Sequence, residues 1–438
     1  MKQMIFCASA FILCSALLSG AQDAATFRGD LQHSGVYAAT GVPVLSGIKW
    51  KFHTGGRVIG SPAVANSTVF VGSTDGNFYA IDAESGTEKW KFTTKAWEVS
   101  SAAVASGVVY FLSYDSYLYA LDAATGQVRW KFKTEGERHY AATHLHYLQP
   151  VSESMPDPWD FYLSSPTVWN GAVYFGSSDG NIYALDALSG ALRWKFKTGD
   201  VVHSSPAIAD GTLFIGSWDR FLYALDATSG KEKWRFKTGD DPDAHNHLGI
   251  QSSPAVVDGV VYFGSRDSYA YAIDASTGQQ IWKFSTDGSW VNNSMVVHGG
   301  RAYFGTSIPG IMHAVDAKTG KVVFDLPTGT PVFASMALAR DTLYLGNFGG
   351  KLTAIDLKTQ KAAWVFETDG AKQNAASMTN ADGSIKFETV FSSPTPYYDD
   401  MVLAVHKLFT MGTILSSPVV SGSNVYFGST DGNLYCLQ

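Results

Sequence analysis

Two histidine pairs spaced by one residue are the groups in this chain best suited to chemistry. His144-Leu145-His146 and His245-Asn246-His247 each put two imidazoles on one side of an extended segment, as metal ligation requires. Asp157, Asp241 and Asp243 are the carboxylates that could join them. The same histidines read equally as exposed or hydrogen-bonded residues of two unrelated loops, so no metal is assigned. A second chemistry comes from indoles. Trp97, Trp159, Trp218 and Trp290, together with His139, His203 and His406, form a set able to line a ligand pocket. A carbohydrate or an aromatic cofactor would suit such faces; the alternative is loop packing over a funnel mouth. Arg220 and Arg266 are placed to meet an anionic ligand or, as ordinary surface arginines, to be solvated. No zinc-protease helix motif occurs, a hydrolase is the most distant reading, and no catalytic residue is assigned.

These residues sit on a repeated unit. Its clearest copy runs Ser164-Ser165-Pro166-Thr167-Val168, Ala172 to Gly180, Ile182 to Asp186, Ser189-Gly190 and Trp194-Lys195-Phe196. Apolar runs bounded by Gly, Asp and Ser read as four short strands per copy, and a unit of about 40 residues is the signature of a propeller blade. The strand-ending anchors are Trp50, Trp90, Trp130, Trp194, Trp234, Trp282, Phe324 and Trp364, spaced by 40, 40, 64, 40, 48, 42 and 40 residues. The last copy stops at its third strand, Tyr435-Cys436-Leu437, whereas Trp50 has no three strands before it. The N-terminal strand is therefore expected to complete the last blade, giving an all-β, eight-bladed propeller of four-stranded blades with no open edge. Glycine at the end of the second strand recurs in every blade except at Leu112, as close blade-to-blade packing requires.

Strand order places the connection after each Trp strand and the Asp-Gly turn on one face. Insertions at 135–163, 240–251 and 369–415 all fall there, with every indole and histidine of the candidate set. Long loops on a rigid scaffold carry function. Within the last insertion, Phe391 to Val405 imitates the first two strands of a blade and is read as an extra hairpin or a decayed repeat, and 372–386 as flexible.

Net charge is −7 and no basic run occurs, which argues against a nucleic-acid partner. Met1 to Gly20 carry one cation, Lys2, and an apolar stretch before Ser19-Gly20-Ala21. This reads as a secretory signal over 1–21, too short to span a membrane. Its removal leaves a lead-in, 22–45, expected to lie along the ring, and a single propeller over 46–438. Export to the periplasm or beyond, with association to the cell envelope, is the expected location. Of three cysteines only Cys436 lies outside the leader, and one thiol builds neither a disulfide nor a thiolate metal site.

The stretch Ala120-Leu121-Asp122 with Thr125-Gly126 and Trp130, repeated as Ala272-Ile273-Asp274 with Thr277-Gly278 and Trp282, resembles the tryptophan-docking motif of the pyrroloquinoline-quinone (PQQ)-like propeller repeats. The resemblance covers nearly all of the chain after the leader. It implies a structural role for the eight anchors, the indole wedging between neighbouring blades. It also implies one of two functions. One is a non-catalytic scaffold like the outer-membrane β-barrel assembly lipoprotein, binding a protein or small ligand through the loop-decorated face. The other is a dehydrogenase oxidising alcohols or sugars with PQQ and calcium. The adjacent-cysteine disulfide on which similar dehydrogenases stack the quinone is missing, and their calcium ligands and aspartate base have no matching positions here. The non-catalytic reading is preferred, with no cofactor assigned.

Overall fold

The computed structural model describes residues 25–239, 248–391 and 397–438. Eight antiparallel sheets stand around a central axis, and blade 1 comprises Ala63–Ala65, Thr68–Gly72, Asn77–Asp82 and Glu88–Thr93. The eighth takes Val419–Ser421, Asn424–Gly428 and Asn433–Leu437 from the end of the chain and Ile48–His53 from its beginning. Trp50 pairs with Cys436 and His53 with Asn433 in that ladder. The Cys436 thiol is buried, which raises its pKa to about 12 and leaves it unreactive.

Each blade grips the next through its outer strand. The indole N–H of Trp50, Trp90, Trp130, Trp194, Trp234 and Trp282 donates to the carbonyl of Ala83, Ala123, Ala187, Ala227, Ala275 and Ala317 of the following blade, at 2.9–3.1 Å. The glycine of the same turn lies flat on that indole. A Cβ at Gly190 would stand 2.7 Å from the Trp130 ring, and its φ of +73° suits glycine. In blade 8 the fourth strand comes from residues 48–53, so no such turn joins it to the third, and the Val42 carbonyl of the lead-in accepts from Trp364 instead, at 2.8 Å.

The serine pairs divide their labour. The first serine holds its own blade: Ser164 and Ser204 Oγ accept from Gly176 and Gly216 N–H, and Asn293 does this in blade 6. The second links neighbours. Ser101, Ser165, Ser205, Ser253, Ser335, Ser417 and Ser61 Oγ each accept a backbone N–H from the second serine of the preceding blade, at 2.9–3.1 Å. With Ser294 they form a belt around the axis. The residue three before the second serine packs on the second-strand glycine of the preceding blade. A Cβ at Gly428 would meet Val58 at 2.3 Å and one at Gly264 would meet Val291 at 2.2 Å. Tyr162 takes this place in blade 3, opposite Leu112, and its hydroxyl donates across the mouth to the Leu415 carbonyl.

Two sequence expectations change. The lead-in does not lie along the ring; it crosses one end of the channel. The carbonyls of Ala25, Leu31, Gln32 and Gly35 accept from Val104, Ile208, Val256 and Leu338, amides on the innermost strands, which would otherwise be unpaired. Val36–Tyr37 adds a parallel strand to blade 7. Arg28, fully buried, donates to the carbonyls of Met336 and Met295. Among its described residues the last insertion is largely helical, with α1 at Asp369–Met378, α2 at Phe387–Val390 and α3 at Tyr398–Phe409; 392–396, the start of the expected hairpin, lie outside the described residues, and its expected second strand, 401–405, is part of α3. In α3, Ala404, Val405, Leu408 and Phe409 share one face at helical spacing. Asp399 and Asp400 in its first turn and His406 and Lys407 in its last complement the helix dipole. Five consecutive apolar residues imitate a strand only when that flanking charge is ignored.

Trp194→Ala is expected to lower unfolding stability by roughly 3 kcal/mol through the lost indole packing, and Trp97→Ala, on an exposed side chain, by less than about 1 kcal/mol. Denaturant titrations of the two variants check this.

Candidate functional site

The insertion at 135–163 folds onto the axis rather than around it. Trp159 and Phe161 are buried and sit among Phe333, Phe348 and Phe409. Ser178, Trp218, Arg266 and Phe348 occupy the same hairpin-turn position in blades 3, 4, 5 and 7, so four unlike side chains converge there. Arg266 is wholly buried, not solvated. Its guanidinium lies between the rings of Trp218 and Trp290, 4.4 and 4.5 Å from their centroids, and donates to Asp157, to the Trp159 carbonyl and to Gln251 Oε1. Asp157 also accepts from Trp159 N–H and meets His146 Nε2 at 3.2 Å. Burial alone would raise the Asp157 pKa; Arg266 and His146 reverse this and hold it well below the carboxylate range.

A second buried set adjoins the first. Asp160 accepts from Tyr140 N–H and Gln251 Nε2 and faces His203 Nδ1 at 2.8 Å. His203 Nε2 meets Ser178 Oγ, which also donates to Glu137. Burial works against a charged imidazole at His203, yet Asp160 and then Glu137 outweigh it and raise its pKa. Burial also raises Glu137, against bonds from Ser177 and Ser178.

Among the described residues an opening lies to one side, a groove of about 240 Å³ between 139–161 and α3, walled by Trp97, Phe161, Tyr398, Val402, Val405 and Phe409. Arg57, His139 and His406 line it. Arg57 lies over the Phe409 ring at 4.7 Å, and partial burial lowers its pKa. His406 is exposed and lowered by its partial burial and by Arg57.

The candidate set therefore divides. Trp97, His139 and His406 line the groove; Trp159, Trp218, Trp290, His146, His203 and Arg266 build the buried plug beside it. His144 is exposed, Arg220 is half-buried at a turn with φ of +74°, and His245 and His247 lie outside the described residues. His144 precedes and His146 lies within the 3₁₀ turn Leu145–Tyr147, both with left-handed φ, so they are not on the extended segment that ligation was expected to use. Asp157, already held by a cation, is not a free ligand, and among the described residues no three His, Cys, Asp or Glu gather as a metal site. Arg57 was missed, although it holds the same repeat position as Trp97 and Trp290, four before the second serine.

Asp157→Ala is expected to cost roughly 3–5 kcal/mol by leaving a buried cation uncompensated, and Asp157→Leu with Arg266→Met much less than the two single losses together. Because the folded pKa of Asp157 lies below its reference value of 3.8, its contribution is in place above that pH and is lost as pH falls toward the folded value. Denaturant titrations of the double-mutant cycle at neutral and acid pH test both points.

No curated protein matches the sequence significantly. Among solved structures, BamB from Moraxella catarrhalis superposes with a TM-score of 0.64 at 17% identity, covering 90% of this chain and 98% of that one. A europium-containing methanol dehydrogenase superposes with 0.65 at 15% identity over 95% and 98%. Quinohemoprotein alcohol dehydrogenase from Comamonas testosteroni gives 0.67 at 15% identity over 95% and 80%. These likenesses show the fold. A family model described as outer membrane protein assembly factor BamB matches residues 39–155, 157–293 and 266–406, and by that match the chain belongs to the PQQ-like β-propeller family.

Proposed function

We propose that this chain is an exported, non-catalytic propeller that binds a protein or a small ligand of the cell envelope through the groove on its insertion-bearing face. The observation that carries this reading is the plug. Where a ligand on the axis would sit, Trp159, Phe161 and the Arg266–Asp157 pair fill the space, and a cavity of about 40 Å³ remains behind them. That volume suits a few atoms, not a tricyclic tricarboxylate quinone. The residues present do not fit PQQ in other respects either: Cys436, the one cysteine among the described residues, is buried in blade 8, and Asp157 is committed to Arg266. Exposed Trp97 lines the groove, and exposed Tyr397 and Leu403 flank Tyr398 and Val402 of its wall in sequence; exposed large apolar side chains of this kind are how protein-binding surfaces are composed. Among the described residues no helix is long and apolar enough to cross a membrane.

A photo-crosslinking residue at position 97 is expected to capture a partner from envelope extracts, and one at position 169, on the opposite face, is not. Equal capture from both positions would remove the groove from the reading. Incubation with PQQ and Ca²⁺ is expected to give neither a bound-quinone spectrum nor alcohol-dependent dye reduction; a positive result would favour the dehydrogenase.

A further inference from the structure

We propose that the cavity on the propeller axis is a binding site for a single halide ion, held within the belt of serines beside the buried Asn292. All eight second-position serines, 61, 101, 165, 205, 253, 294, 335 and 417, line this cavity of about 40 Å³. Seven of them accept a neighbour's N–H through Oγ, which commits a lone pair and leaves the hydroxyl hydrogen to point elsewhere. The cavity wall therefore offers converging O–H donors, as an anion site does.

Three further observations favour an anion over a cation. Asn292 lines the cavity and is 5% exposed, and neither its amide nitrogen nor its oxygen has a partner; a buried amide left this way is costly, and a ligand accepting from its N–H₂ relieves the donor half. No carboxylate lines the cavity, whereas His203 does. At the opposite end, Arg28 bonds the carbonyls of Met295 and Met336, the residues that follow belt serines 294 and 335. It makes no ion pair among the described residues, and its Nε has no partner. Arg28 stands next to Phe27 of the cavity wall and adds a positive charge at this end, partly offset by Asp30. Phe27 bounds the cavity on this side and Tyr162 and Leu163 on the other, so the ion would be enclosed during folding. The volume holds one monatomic ion and excludes sulfate or a carboxylate-bearing ligand.

Crystals of the full protein grown with bromide in place of chloride test this directly, because the anomalous signal of bromide distinguishes it from water. An anomalous peak inside the serine belt is expected; a belt filled with water alone would overturn the proposal. In solution, exchanging gluconate for chloride at constant ionic strength should raise Tm by about 1–2 °C for each tenfold increase in chloride. Asn292→Asp, which adds a negative charge to the wall, should abolish that dependence. A wild-type Tm indifferent to chloride, or a variant that keeps the full response, would also overturn it; should the variant not fold, the bromide crystal decides alone.

Discussion

Everything in this molecule depends on the ladder between residues 48–53 and 433–437. A propeller blade has two faces to bury and cannot bury either alone. With seven and three-quarter blades the disc would present raw edges on both sides of the gap. Once the ladder forms, six indoles reach a carbonyl of the next blade, each second-strand glycine receives the residue leading into its neighbour, and the serine links run from Ser417 through Ser61 to Ser101 across the closure. The insertions then have a rigid rim from which to fold inward.

Closure also determines what the axis can hold. In an eight-bladed ring the residue two before the second serine lies at the mouth, and this position is Val99, Leu163 and Phe333 on one side but His203, Gln251 and Asn292 on the other. The polar half is met by Asp160, which binds His203 and Gln251, and the apolar half by Trp159 and Phe161. One insertion thus carries the carboxylates for one semicircle and the aromatic rings for the other. Self-complementarity of this kind explains why Trp159, Trp218, Trp290 and His203 collect at the mouth as packing rather than as the lining of an axial pocket.

The architecture was legible because it repeats. Eight copies average out local accidents, so the blade count, the closing strand and the reason for glycine at position 428 or 264 follow from spacing alone. The mouth was harder, because each of its parts occurs once. Trp218, Arg266 and Trp290 read from sequence as three residues available to a ligand, and only their convergence shows that the guanidinium is itself the guest of the two indoles. Reading the repeat position by position would have found Arg57, which shares a register with Trp97. It would also have marked Ser178, Trp218, Arg266 and Phe348 as one turn position. Helix α3 was hidden for a different reason: the run from Met401 to Val405 is apolar enough for either a strand or a helix, and the deciding signal lies in the charges around it.

The position of the lead-in has a consequence for the order of assembly. Arg28 meets the Met336 carbonyl 308 residues away, and His53 meets Asn433 across 380. The first part of the ring to leave the ribosome therefore waits for nearly the last, and a chain lacking residues 433–437 cannot hold a shut disc. Such distant contacts slow folding, so the disc stays open until synthesis of the chain is almost complete.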